Sequence, residues 1–236
     1  MISIMNFGAT ARYENGHVVS VDIPPDSVAD CLEFLTAFPK LNNVILDNAT
    51  INAEQASKIS QFRDLEHLWL TGPCVTDDVL AQLKGMSNLK VLSLRDSKIT
   101  DDGFVHLSEL VGLNVLRLMD TQITGRGLNQ LRDLSLTELY LWGTDTDDDG
   151  LAQLRGQSKI QILTLEGTHV TDQGLVHLRE VPGLEQLNLG NTSITDEGLV
   201  VLSSMPNLKG IIVSNTEVTA DGLSAFHNKC PDCEIH

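Results

Sequence analysis

One pattern of 23 or 24 residues is repeated nine times along this chain, and that periodicity limits what it can fold into more than any other feature. Its clearest copy runs from Leu184 to Asn207, LEQLNLGNTSITDEGLVVLSSMPN. Leu184, Leu187 and Leu189 follow L-x-x-L-x-L, and the alternation through Asn188 puts apolar groups on one face of a short strand. Leu199, Leu202 and Met205 then recur every third residue, which lines one side of a short α-helix or a tighter 3-10 turn. Between the halves Thr195 stands at a helix N-cap, followed by Asp196 and Glu197, where free N–H groups and the helix dipole favour carboxylates. A strand and helix this short cannot bury an apolar side alone, so each copy needs neighbours of its own kind. Aligned on the first apolar residue, the repeats begin at Val18, Leu41, Leu65, Leu89, Leu113, Leu136, Ile160, Leu184 and Leu208, separated by 23, 24, 24, 24, 23, 24, 24 and 24 residues.

The shared pattern, L-x-x-L-x-L-x-x-T-x-[IV]-T-D-x-G-L-x-x-L, resembles a leucine-rich repeat. The T-D-x-G-L turn appears as TDDGF from Thr100, TDQGL from Thr171, TDEGL from Thr195 and, shifted by one, TADGL from Thr219. It is similar to the variant of bacterial repeat proteins and of the substrate-binding repeats of F-box proteins. The resemblance implies an α/β fold, a right-handed horseshoe solenoid with a parallel β-sheet on the concave face and short α or 3-10 helices on the convex face. It also implies binding of other macromolecules, usually proteins. The first two repeats depart from it, with Ala29-Asp30 and Asn52-Ala53 in place of Thr-Asp, and the Leu32 and Val79 sites lack the glycine.

The open ends of such an array expose core and sheet edge unless they are covered. Residues 1–17 are expected to form a β-hairpin cap, because Asn15-Gly16 supplies the positive φ angles of a tight turn between Ala11–Glu14 and His17–Val21. Residues 18–236 are then one repeat domain, closed from about 226 by Phe226 and the Pro231–Ile235 tail, with Cys233 and Ile235 pointing inward. Within the array, Ser97, Thr121, Thr144, Thr168, Thr192 and Thr216 share the ninth position, where a hydroxyl can satisfy backbone groups as the chain leaves the strand. Gly103, Gly127, Gly150, Gly174, Gly198 and Gly222 recur where a missing Cβ lets stacked repeats approach.

With 32 acidic against 16 basic residues, the net charge of -16 opposes nucleic acid and anionic lipid, so neither is an expected partner. No apolar run approaches the ~18 residues of a membrane span. Met1 to Met5 lack the basic and apolar regions of a signal peptide, and four scattered cysteines make no disulfide framework. A cytoplasmic protein, monomeric by default, is the expectation.

Two clusters carry metal-ligand residue types. Asp145 to Gly150 fits the D-x-D-x-D-G opening of a calcium loop, but Gly156 stands where the acidic twelfth ligand belongs, and the same residues fit the ordinary helix-capping turn. His227, Cys230, Cys233 and His236 are weak metal or redox candidates whose spacing also fits a capping tail. No metal and no cofactor is expected.

The strongest candidate site follows from strand alternation. Positions three, five and seven of each repeat turn away from the core, and both tryptophans and one of the two tyrosines fall there. His67, Trp69, Arg95, Arg117, Met119, Tyr140, Trp142 and Glu166 are therefore the expected binding residues. Trp, Tyr, Arg and Met are enriched in interface cores and hot spots, which favours a binding face over aromatics that merely suit a sheet. Arg117, Met119, Tyr140 and Trp142 are expected to form one patch. The chain is read as a non-enzymatic scaffold for a protein or peptide, basic if it complements the net charge. The alternative is a substrate-recognition arm of a larger F-box-like or effector assembly. No G-x-S-x-G, phosphate loop or H-E-x-x-H supports an enzyme.

Overall fold

The three leucine positions of the repeat become three buried columns. In all nine repeats, from Val18 to Val213, residues one, four and six are at most 8% exposed. The burial holds in the two divergent first repeats as well. The computed structural model describes residues 2–236; Met1, the first residue of the expected cap segment, lies outside the described residues. Two compact units make up the chain, one reaching to Arg117 and including Asp133–Ser135, the other comprising Leu118–Arg132 and Leu136–His236.

The first unit carries β1 (Thr10–Glu14), β2 (His17–Asp22), β3 (Asn43–Leu46), β4 (His67–Leu70), β5 (Val91–Ser93) and β6 (Val115–Arg117). β1 and β2 form an antiparallel hairpin whose turn residues, Asn15 and Gly16, have φ of 50° and 81°. Positive φ at both central positions is what a tight hairpin following the right-handed strand twist requires. From β2 onward the strands pair in parallel and in chain order, with Val21, Val44, Leu68, Leu92 and Leu116 in one register row. α1 (Ile2–Met5) precedes β1, and α2 (Val28–Leu35), α3 (Ala53–Ile59), α4 (Asp77–Ala81) and α5 (Phe104–Leu107) lie between the parallel strands, each helix packed on the next.

The second unit repeats the plan with β7 (Glu138–Tyr140), β8 (Ile162–Thr164), β9 (Gln186–Asn188), β10 (Gly210–Ile212) and β11 (Glu234–Ile235), alternating with α6 (Asp148–Ala152), α7 (Asp172–Leu175), α8 (Asp196–Leu202) and α9 (Ala220–Lys229). Leu139, Leu163, Leu187, Ile211 and Ile235 share a register row. The repeat beginning at Leu113 reads Thr124-Gly125-Arg126-Gly127 and has only a 3-10 turn at Leu128–Leu131, without the first-turn carboxylate that α6, α7, α8 and α9 each have. At the end of the unit Phe226 and Cys233 are buried, 2% and 5% exposed, while Ile235 is half-buried. Each unit is an α/β solenoid segment, parallel strands on one side and short helices on the other.

The turn out of each strand is fixed by two adjacent positions. Position eight is Asn48, Gly72, Asp96, Asp120, Gly143, Gly167, Asn191 and Asn215, with φ from 50° to 100°, a left-handed conformation that only Gly, Asn and Asp adopt at low cost. At position nine Thr121, Thr144, Thr168, Thr192 and Thr216 donate their hydroxyls to the carbonyl three residues earlier at 2.6–2.7 Å. The expected hydroxyl ladder therefore exists, with one exception: buried Ser97 finds no partner for its Oγ.

Adjacent repeats are also joined by a clasp that helix capping alone does not explain. The first-turn carboxylates of Asp77, Asp148, Asp172 and Asp196 each accept two hydrogen bonds from the threonine of the following repeat, Thr100, Thr171, Thr195 and Thr219. The backbone N–H donates at 2.8–3.1 Å and the hydroxyl at 2.6–2.7 Å. The same hydroxyl accepts from an N–H of its own helix, as Thr195 does from Glu197 at 3.1 Å, so it caps one helix while donating to its neighbour. Thr219's hydroxyl and N–H hold the Asp196 carboxyl below the ordinary carboxylate range. A Cβ on Gly103, Gly174, Gly198 or Gly222 would overlap the carboxylate oxygen of the preceding Asp, so the recurrent glycine leaves room for the clasp.

Candidate partner-binding face

Alternation along the strands turns positions three and five away from the leucine columns and parallel pairing stacks them in rows, while position seven, expected on the same face, falls in the turn after the strand. In the first unit Trp69 lies in register between Ile45 and Ser93, and His67 lies between Asn43 and Val91. The His67 and Trp69 rings stack, with centroids 6.0 Å apart and planes 16° from parallel. Both side chains are half-buried. Stacking fixes the indole without covering it. Arg95 is exposed and pairs through Nε with the Asp96 carboxylate at 3.1 Å. Arg117 ends β6 and is half-buried.

Not every outward position is open. Thr71 is 7% exposed and its hydroxyl donates to Asp47 at 2.7 Å while accepting from the Asn48 N–H at 3.1 Å. It ties neighbouring repeats together and is not available to a partner.

In the second unit Met119, Tyr140, Trp142 and Glu166 are all half-buried. Arg117 belongs to the first unit and these four to the second. The Tyr140 hydroxyl donates to Glu138 at 2.7 Å. Glu166 accepts from the side-chain amides of Asn188 and Asn191, both at 3.0 Å, and Asn215 donates in turn to Asn191 at 3.1 Å. Beside this network lies a hollow of about 130 Å³ lined by Ile162, Thr164, Gln186, Asn188 and Ile212, floored by Leu163 and Leu187. Ile212 is 36% exposed. Ile212 and Asn188 were not among the residues singled out from the sequence. The signal was there, since both occupy position five, but aromatic and charged types drew the selection.

The metal candidates are placed apart in function. Cys233 is buried and its thiol, pushed up to about 11 by burial and by the nearby Cys230 and Glu234, stays protonated at neutral pH. Cys230 directs its thiol to the Ser203 carbonyl at 3.4 Å, and His227 and His236 are exposed. In the acidic turn Asp147 caps α6 by accepting from the Gly150 N–H at 2.9 Å, and Asp148 is occupied by Thr171. Among the described residues no group of three or more His, Cys, Asp or Glu side chains is placed to hold a metal ion.

The family model described as Leucine Rich repeat matches residues 85–108 and 184–203, which coincide with repeats of this architecture. The two matched repeats support a leucine-rich repeat protein, a class whose domains generally serve as protein-interaction scaffolds. No curated protein matches the sequence. Among the described residues no helix is long and apolar enough to cross a membrane.

Proposed function

We propose that this protein is a non-enzymatic scaffold that binds a protein or peptide on the outward face of its strands. The observation that carries the reading is that both tryptophans of the chain, Trp69 within β4 and Trp142 in the turn after β7, are half-buried rather than in the core. Burying the rest of a fixed aromatic surface is the kind of contact that dominates interface energetics. The leucine columns beneath hold the face rigid, so little ordering is needed when a partner docks.

The reading is tested by affinity capture from the source lysate, quantified against Trp69→Ala and Trp142→Ala. A partner that buries either indole at the centre of its interface should bind more weakly by about 2 kcal/mol or more, while the melting temperature moves little. Leu141→Ala serves as the core control: it deletes a side chain that is 0% exposed and should destabilise the fold by about 2–5 kcal/mol. Partners retained unchanged by both tryptophan variants would refute the proposal, as would a Trp142→Ala protein that unfolds as readily as Leu141→Ala.

A further inference from the structure

The second unit's strand face carries negative charge that nothing on the face balances. Positions three, five and seven of the repeats beginning at Leu136, Ile160, Leu184 and Leu208 include Glu138 and Glu166 and neither lysine nor arginine. Both carboxylates are held by neutral donors, Glu138 by the Tyr140 hydroxyl and Glu166 by the Asn188 and Asn191 amides. Neutral donors orient a carboxylate without cancelling its charge. Each Glu166 oxygen accepts one amide N–H, which leaves a second lone pair on each for a further donor. Oriented, uncompensated carboxylates suit an ammonium or a forked guanidinium and repel an acidic chain.

The hollow next to them supplies the other half of a site. Its 130 Å³ equals the room of about four waters at ~30 Å³ each, which is the size of a branched aliphatic side chain. Ile162 and Ile212 make its rim apolar. Asn188 both lines the hollow and donates to Glu166 at 3.0 Å, so socket and carboxylate are one side chain apart. In an extended peptide, residues two apart point to the same side and lie roughly 6.6 Å apart, a spacing that a long basic side chain bridges easily.

We propose that the second unit recognises an extended segment of a partner protein in which an aliphatic side chain and an arginine or lysine stand two residues apart, the first in the hollow and the second on Glu166. This inference rests on the scaffold reading above and names the chemistry of the partner.

The test is selection of a displayed library of random dodecapeptides on the full chain. Enriched peptides should combine an aliphatic residue with Arg or Lys at that separation. Synthetic copies should bind about tenfold or more weakly to Glu166→Gln and to Ile212→Asp, with the Glu166 contribution fading at high salt. Glu166→Gln keeps an acceptor for only one of the two asparagine amides, so an unchanged melting temperature is required to verify its fold. Enriched peptides that lack basic residues, or that bind both variants within about twofold of the parent, overturn the inference. If those same peptides are lost with Trp69→Ala or Trp142→Ala, the scaffold reading stands without it; if they tolerate all four substitutions, both readings fall.

Discussion

Gly198→Ala should destabilise the protein, yet be neutral or favourable once Asp172 has been removed. Asp172 accepts the Thr195 N–H at 2.9 Å and the Thr195 hydroxyl at 2.7 Å. Hydrogen bonds to a charged group contribute about 1.5–3 kcal/mol each, and half-exposed ones belong at the low end because water replaces them in part. Asp172→Ala should therefore cost about 2 kcal/mol. The Gly198 backbone is helical, so alanine there is favoured by roughly 0.5–1 kcal/mol on conformational grounds. Its Cβ, however, would overlap Asp172 Oδ1 and stand 2.9 Å from Leu175 Cδ1. Opening the clasp to admit it forfeits most of the same 2 kcal/mol, which leaves Gly198→Ala about 1 kcal/mol less stable than the parent. In the Asp172→Ala background the overlap with the carboxylate is gone and only Leu175 has to shift, so the added alanine should be neutral or favourable. The assay is urea unfolding of the four proteins of the cycle by circular dichroism, with m-values compared to verify a common transition. Effects that add within ~0.5 kcal/mol would show that the glycine is not kept for the carboxylate, and the clasp argument would fail.

Three further outcomes are expected. Thr146 is 0% exposed and, because Thr144 already donates to Leu141, gives its hydrogen to the Thr144 oxygen at 2.8 Å; the same position holds Ile123, Val170 and Ile194 elsewhere in the unit. Thr146→Val should leave stability unchanged or raise it by up to about 1 kcal/mol in thermal unfolding, and a loss greater than that would mean the hydroxyl pair is needed. Exposed Cys74 should react with a thiol reagent well before Cys31 and Cys233, and mass mapping that finds Cys233 equally fast contradicts its burial. Because burial raises the Cys233 thiol from 9.0 to about 11, its contribution to stability is complete below pH 9 and falls as pH rises from 9 through 11, where only the unfolded chain ionises freely. Cys233→Ser should shallow that alkaline decline.

The leucine columns were legible because their period is a direct image of geometry: two apolar residues flanking one polar residue can only be strand, and a fixed spacing can only stack. The threonine N-caps and the position-nine hydroxyls were legible for the same reason, since their partners lie within three residues in the chain. Position eight was legible in principle, as eight successive repeats hold only Asn, Gly or Asp there. The clasp was not. Asp172 has a sufficient local explanation as a helix-dipole residue, and its second role appears only when Thr195, 23 residues later, is brought beside it. Ser97 fills the hydroxyl column without making the bond. Of the candidate site, the face of each side chain was readable but its engagement was not, because Glu166 is shared with two asparagines of the next repeat.

Fold and recognition can be separated in this architecture because they draw on different atoms. Strand pairing uses backbone groups, and the columns at positions one, four and six supply the apolar burial, so position five can pass from Ile45 to Trp69 to Ser93 without a change in register. A surface with that freedom can acquire a ligand without a large stability cost. The exceptions mark where the face has been drafted into the fold: Thr71, bonded to Asp47 and Asn48, and Asn188, which accepts from the Gly190 N–H at 3.0 Å while donating to Glu166. Asn188 thus serves both purposes. By fixing the local backbone and the carboxylate together, it makes the charge of Glu166 a rigid feature of the surface rather than a flexible one. On the binding reading proposed above, a rigid charge beside an apolar hollow selects among partners by geometry as well as by sign, and that requires the lattice of leucines beneath to hold still.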